Sequence, residues 1–283
     1  MLLIGIDLGT SAVKLLLMDE MGKIHKIVSK EYPLYFPHPG WSEQNPADWF
    51  EQSLAGMKEL ISDCDVEEIK GISFGGQMHG LVVLDEKDQV IRPAILWNDG
   101  RTGKETEYLN QEIGKEALCQ YTGNIAFAGF TAPKILWMRE QEPQNFARIQ
   151  KIMLPKDYLA FRLSGAFCTD YSDASGTLLL DVKHKRWSKK MMEICGVKEE
   201  QLPRLYESWE PVGTIKKEIA EELGIPYDVK IIAGAGDNAA AAVGTGIVGE
   251  GGCNLSVGTS GTLFISSETF GMDEHHALHS FAH

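Results

Sequence analysis

Basic residues are scarce in this chain: 27 Lys and Arg stand against 40 Asp and Glu, a net charge of −13 over 283 residues. That balance argues against nucleic acid and anionic membrane surfaces as partners, because both are held by Lys and Arg. It leaves room for a local basic pocket around a phosphate. The five cysteines (64, 119, 168, 195 and 253) are scattered, and none forms C-x-x-C. Neither a disulfide framework nor a zinc site is indicated. No run approaches the ~20 apolar residues of a membrane span. The N-terminus lacks a basic n-region, and Asp7 interrupts its apolar stretch, so it does not read as a signal peptide. A cytoplasmic protein is expected.

What is present describes a folded chain. Apolar residues make up 43% and charged residues 24%, as in globular proteins. The length exceeds one ordinary core and suggests a large α/β domain with part of a second. The chain opens with a β-meander: strands at 2–6, 12–18 and 24–30, with Leu8-Gly9-Thr10-Ser11 as the first turn. That corner returns later, where Leu255-Ser256-Val257-Gly258-Thr259-Ser260 echoes Ile6-Asp7-Leu8-Gly9-Thr10-Ser11. The echo suggests a duplicated fold whose halves each begin with a hairpin.

The stretch 231–246, IIAGAGDNAAAAVGTG, carries the main chemical signal. An apolar β-branched run is broken by Gly234 and Gly236, and Asp237 then opens an alanine-rich helix. A carboxylate at such a junction faces the space beyond a sheet edge, or it merely caps the helix. The Gly-Thr-Ser corners have a similar pair of readings. Glycine permits close approach, and backbone N–H groups with hydroxyls can surround phosphate oxygens; alternatively both are ordinary hairpin turns. Two matched corners together with Asp7 and Asp237 favour the phosphate reading, with Asp7 orienting Mg²⁺ through water.

Asp7-Leu8-Gly9-Thr10-Ser11, the 256–261 segment and 234–238 resemble the two phosphate segments and the catalytic segment of the FGGY carbohydrate kinases, of the actin-like ATPase superfamily. The resemblance implies a ribonuclease H-like α/β fold and use of ATP with Mg²⁺. It implies that Asp237 is the general base, supported by Asp7. Gly9, Thr10, Ser11, Gly258, Thr259 and Ser260 would contact the nucleotide phosphates. The loop Gly76-Gln77-Met78-His79-Gly80 is similar to the substrate loop of D-xylulose kinases, whereas glycerol kinases carry an Arg-Glu pair there. That moves the expected substrate from a polyol to a ketose, held by Met78, His79 and Asp237. A related sugar or polyol kinase (ribulose, gluconate, erythritol) and a non-catalytic actin-like scaffold are the alternatives, and a homodimer stays open.

Other segments have more modest readings. Asn45-Pro46 starts an amphipathic helix over 46–62. Trp41, in a Gly-Trp-Ser-Glu-Gln run typical of xylulose kinases, is either a sugar contact or core. Trp97-Asn98-Asp99-Gly100-Arg101 resembles a family element that orders the sugar side, with Asp99 as a possible helix cap. Gly129 to Gln141 fits a family signature and reads as a helix from Thr131, with Lys134 as a surface or loop-anchoring charge. Residues 165–180 look strand-like, and Asp170 to Ser175 as Asx and Ser turns. The histidine-rich end lacks metal-ligand spacing. The first domain is expected over 1–254 and the start of its sister over 255–283. On that reading the chain is a fragment that does not phosphorylate sugar by itself.

Overall fold

The computed structural model describes residues 1–257, 261–273, 275 and 278–282. Alternation in the opening residues creates a two-faced sheet. In the strand Leu2–Leu8, the side chains of Ile4, Ile6 and Leu8 are buried, while Gly5 and Asp7 line a cleft. In Ala12–Asp19 the buried set is Val13, Leu15 and Leu17, with Lys14 and Leu16 on the cleft side. A side-chain period of two thus gives the hairpin one face for the core and one for a ligand.

Helices cover the core face. Pro46–Leu60 begins as predicted, with Asn45 accepting the Ala47 N–H and proline at the first turn. Its Gly56 lies so close to the sheet that a Cβ there would meet Leu15 Cδ1 at 2.4 Å. With the helices Pro155–Ser164 and Lys217–Leu223 it closes a core that includes Trp49, Met57, Ile72, Leu159 and Ile231. Each large side chain fully withdrawn from water contributes about 1.5–3 kcal/mol. A second core gathers around the helix Thr131–Gln141, with Val83, Ile135, Leu136 and Met191.

The main sheet has seven strands among the described residues. Its order is Pro211–Thr214, Lys230–Ile232, Ile69–Gly76, Leu2–Leu8, Ala12–Asp19, Ile24–Glu31, with the short strand Ala235–Gly236 also on Ile69–Gly76. Leu2–Leu8, Lys230–Ile232 and Ala235–Gly236 run parallel to Ile69–Gly76, and the flanking hairpins are antiparallel. Leu8 lies beside Gly76, and Gly76 beside Gly236. Three parallel strands therefore end at one edge, where Gly9, Gln77 and Asp237 follow them. Gly234 makes this possible: its φ is +75°, and a Cβ there would sit 2.3 Å from the Phe74 carbonyl oxygen.

The echo in sequence is also an echo in structure, because Cys253–Val257 pairs antiparallel with Gly261–Ile265. The corner between them, Gly258, Thr259 and Ser260, lies outside the described residues. Leu255, Val257, Leu263 and Ile265 on this hairpin are largely exposed. No helix among the described residues is long and apolar enough to cross a membrane.

Some expectations need correction. The 165–180 stretch is a short strand, Cys168–Asp170, then the helix Tyr171–Ser175, then Leu180–Asp181. Asp99 caps no helix; the next one starts at Gly103. Local alternation and turn residues cannot report these, because each depends on which partner strand is in reach.

Candidate active site

The strand Ala235–Gly236 passes directly into the helix Asp237–Gly244. Gly236 takes the capping position, and Asp237 is the first helical residue. Its carboxylate accepts the adjacent Asn238 N–H at 2.7 Å, not the amides further along that a capping side chain would take. It opens onto a cleft of about 600 Å³ whose walls include Asp7, Lys14, Ser73, Gly75 and Asn238. Desolvation by these walls pushes Asp237 up to about 6; the Asn238 amide opposes the shift and the Asp7 charge adds to it. Desolvation raises Asp7 as well, and Lys14, its partner across the hairpin, pulls it back.

The Asp7 carboxylate, facing open space, is a hard-oxygen donor suited to Mg²⁺, which keeps much of its water shell. Among the described residues no group of three or more His, Cys, Asp or Glu is arranged to hold a metal. An ion here would therefore share its shell with water and the oxygens of a ligand.

The first corner is fixed from several sides. The Gly9 N–H closes the turn on the Ala12 carbonyl at 3.1 Å. The Tyr32 hydroxyl and the Gln77 amide donate to the Gly9 carbonyl. Gln44 donates to the Thr10 carbonyl at 2.6 Å, and Trp97 Nε1 to Thr10 Oγ1 at 2.9 Å. The Thr10 hydroxyl in turn donates to Gln77 at 3.4 Å, so it is engaged within the protein, while Ser11 is exposed. Tyr32, Gln44, Gln77 and Trp97 form a clamp that the sequence reading missed, since none of them neighbours the corner in the chain.

Met78 and His79 line a second cavity, of about 530 Å³, together with Ser172, Asn238 and Phe281. Asn238 borders both cavities; Asp237 borders the first alone. The structure thus joins Asp7 with Asp237, joins Met78 with His79, and sets the two pairs on either side of Asn238. His79 adopts φ +68°. Its Nδ1 lies 2.9 Å from the Gly176 carbonyl, which can only accept, so Nδ1 carries the proton and Nε2 is an acceptor. Burial, reinforced by the Lys134 charge, pushes the imidazole down to about 3 and keeps it neutral. Gly176 is required here, since a Cβ would lie 2.3 Å from His79 Nδ1.

Lys134 corrects one expectation and meets another. It is fully buried, not a surface charge, and it anchors the loop. Its ammonium donates to the carbonyls of His79 at 2.9 Å and Gly129 at 2.6 Å. Desolvation pushes it down to about 7, against the pull of Asp99. Nearby, Arg101 donates two bonds to Asp99 and lies 3.8 Å over the Trp41 ring. Asp99 also accepts the Ser42 amide at 2.6 Å. Trp41 is packing for this latch.

The segment Asp170 to Ser175 is a capped helix, with Asp170 accepting the Ser172 N–H, in place of the expected Asx and Ser turns. It is buried against Lys156, whose ammonium lies 2.8 Å from Asp170 and 2.7 Å from Asp157. Lys156 was overlooked because a lysine on a helix usually reads as solvated. With Lys156, Asp157, Arg162 and Ser164 among its ten residues, the helix carries no hydrophobic pattern that would mark it as buried.

The mixed sheet brings two carboxylates and a hairpin corner to the ends of its parallel strands, beside a cavity bearing His79. The chain belongs to the FGGY family of carbohydrate kinases, matching its N-terminal domain over residues 2–244. It has the ribonuclease H-like architecture of the actin-like ATPases. It is 44% identical over 280 residues to the xylulose kinase of Escherichia coli strain K12, covering 99% of this chain and 57% of that protein. With the xylulose kinase of Lactococcus lactis it shares 47% over 263 residues, covering 92% and 52%. A xylulose kinase structure from Brucella ovis superposes with a TM-score of 0.96 at 42% identity, covering 99% of this chain and 58% of that one. The chain thus spans little more than half the length of these relatives.

Proposed function

We propose that this chain is the sugar-binding, base-bearing half of an ATP-dependent ketose kinase, acting on the primary 5-hydroxyl of D-xylulose. The observation that carries the reading is the position of Asp237 beside Asn238, which separates the Asp7–Lys14 cleft from the Met78–His79 cavity. A hydroxyl presented from one side and a γ-phosphoryl group held on the other would meet at this carboxylate.

Asp237 takes the hydroxyl proton as the sugar oxygen attacks phosphorus and the bond to the ADP bridging oxygen breaks. A carboxylate near 6 is ionised at neutral pH yet more basic than an ordinary aspartate. Such base catalysis supplies ~10²–10⁴-fold, with the remainder from positioning and charge neutralisation. Neutral His79 offers Nε2 to a sugar hydroxyl, and Met78 gives the carbon skeleton an apolar wall. Mg²⁺, held by Asp7 through water, would neutralise charge on the phosphate oxygens. Gly9, Thr10 and Ser11 on one hairpin, and Gly258, Thr259 and Ser260 by sequence echo on the other, would flank those phosphates. We read the hairpin after about residue 254 as the opening of the nucleotide-side domain, an assignment its exposed apolar face supports. We infer a cytoplasmic reaction from the same reading, with ATP as donor.

The test is a sugar panel with coupled ADP detection on a kinase carrying this chain as its N-terminal half. D-xylulose is expected to give the highest kcat/KM among D-xylulose, D-ribulose, gluconate, erythritol and glycerol. Another sugar preferred by more than about tenfold would replace the substrate assignment, and no sugar-dependent ADP release would end the kinase reading.

A further inference from the structure

Behind the Gly236–Asp237 junction lies a sealed group of charges. Lys156, Asp157, Asp170 and Asp173 are all buried. The Lys156 ammonium is 2.7 Å from Asp157, 2.8 Å from Asp170 Oδ1 and 3.8 Å from Asp173. Taking such ions out of water costs several kcal/mol apiece, and well-packed apolar residues are often as good for stability alone. The arrangement therefore calls for a positional role.

Hydrogen-bond direction supplies one. Asp170 accepts three times on one oxygen. Its Oδ2 takes the Ser172 N–H at 2.8 Å, the Ser208 hydroxyl at 3.0 Å and the Ser172 hydroxyl. Ser172 has thereby committed its proton, and its Oγ accepts the Gly236 N–H at 3.0 Å. Gly236 immediately precedes Asp237, and on its other side Met78 approaches so closely that a Cβ would lie 2.8 Å from Met78 Cε. A charge on one helix, a carboxylate at a strand end and a hydroxyl on a short helix thus fix a backbone amide more than sixty residues further on.

We propose that Ser172, oriented by the Lys156–Asp170 ion pair, is a positioning residue that holds Asp237 in place for proton transfer. The inference rests on Asp237 being the base. Ser172 acts through the Gly236 amide, and the charged or titratable groups facing Asp237 are Asp7 from the first strand, Lys14 from the second and Asp173 from the helix Tyr171–Ser175.

The experiment compares wild type, Ser172→Ala, Ser172→Thr and Asp237→Asn in the kinase carrying this chain, over a range of pH. Ser172→Ala is expected to lower kcat about tenfold with KM for D-xylulose within about twofold, and to move the acid limb of the kcat profile by more than about half a unit. Ser172→Thr, which keeps the hydroxyl, should recover most of the loss. Unchanged kcat and an unmoved acid limb would overturn the role, as would a rise in KM at full kcat, which would make Ser172 a sugar contact. If Asp237→Asn alone loses turnover, the base stands and the positioning role falls; if Asp237→Asn keeps turnover, both fall. Amide exchange on residues 1–283 checks the link without activity. The Gly236 N–H should exchange at least about tenfold faster in Ser172→Ala while other core amides stay protected, and equal rates would refute the contact.

Discussion

The Lys134 ammonium donates to the carbonyl of His79 at 2.9 Å, so a fully buried charge holds the residue whose φ is +68°. A non-glycine residue in that region persists only when its surroundings over-determine it. Here Lys134 secures the carbonyl, Gly176 secures Nδ1, and Phe130 lies against the ring at 4.8 Å. The candidate sugar acceptor is therefore pre-set before any ligand arrives.

Lys134→Met keeps the length of the side chain but takes the ammonium donor from the Gly129 carbonyl and leaves the His79 carbonyl with the Thr131 hydroxyl alone. Urea unfolding should show a loss of about 1–3 kcal/mol, and KM for the ketose should rise more than kcat falls. A variant with unchanged stability and unchanged KM would show that the loop keeps its shape without the lysine.

Asp237→Asn keeps shape and removes the proton acceptor. Turnover of the kinase should fall ~10²-fold or more with little change in sugar affinity; retention of half the wild-type kcat would exclude the base role. The same residue shapes stability. Its carboxyl rises from 3.8 to about 6 on folding, so the native state holds the proton more tightly than the unfolded chain. Stability therefore falls as pH climbs from about 4 to about 6, and the whole penalty is present above that window. The Asn variant should melt higher than wild type near neutral pH, with the difference vanishing below about pH 4. A gain that grows on acidification would contradict the raised value.

His79→Ala should weaken ketose binding by about 1–3 kcal/mol, because a sugar hydroxyl loses its partner in a desolvated cavity. ATP hydrolysis without sugar should hardly change, since the hairpin corner lies on the other side of Asn238. Equal losses for sugar and ATP, measured by calorimetry, would make His79 a structural residue.

Arg101→Lys retains charge but loses the planar fork on Asp99 and the stacking 3.8 Å over Trp41. Arginine and lysine are not equivalent at such a site. Denaturant unfolding should report a cost of about 1–3 kcal/mol, and a cost below about 0.5 kcal/mol, the usual scale of exposed ion pairs, would show that the latch is loose.

Leu255 and Leu263 pair across the exposed second hairpin. An apolar face of this kind favours self-association. Sedimentation of residues 1–283 should show concentration-dependent dimers that disappear in Leu255→Ser/Leu263→Ser, whereas identical profiles would place any contact elsewhere.

Local chemistry in the sequence determined the opening hairpin, the helix starting at Pro46 and the strand-to-helix junction at Asp237. In each case the signal is a period of two or 3.6, a cap, or a glycine that the backbone needs, and all of these are short-range. The pairing of Asp7 with Asp237 was legible only as two carboxylates near matched corners; parallel register beside Ile69–Gly76 is what brings them to one cleft. Tertiary structure alone decided the roles of Lys134, Lys156 and Ser172. A lysine's meaning depends on whether it is solvated or enclosed, and a serine's on which donor and acceptor approach it. Lys156 meets Asp170, and Ser172 meets Gly236, only because the helix Pro155–Ser164 and the strand Ala235–Gly236 pack against the same buried segment, Asp170 to Ser175. Residues fourteen and sixty-four positions apart acquire one function there, because enclosure turns weak, solvated groups into strong and directional ones.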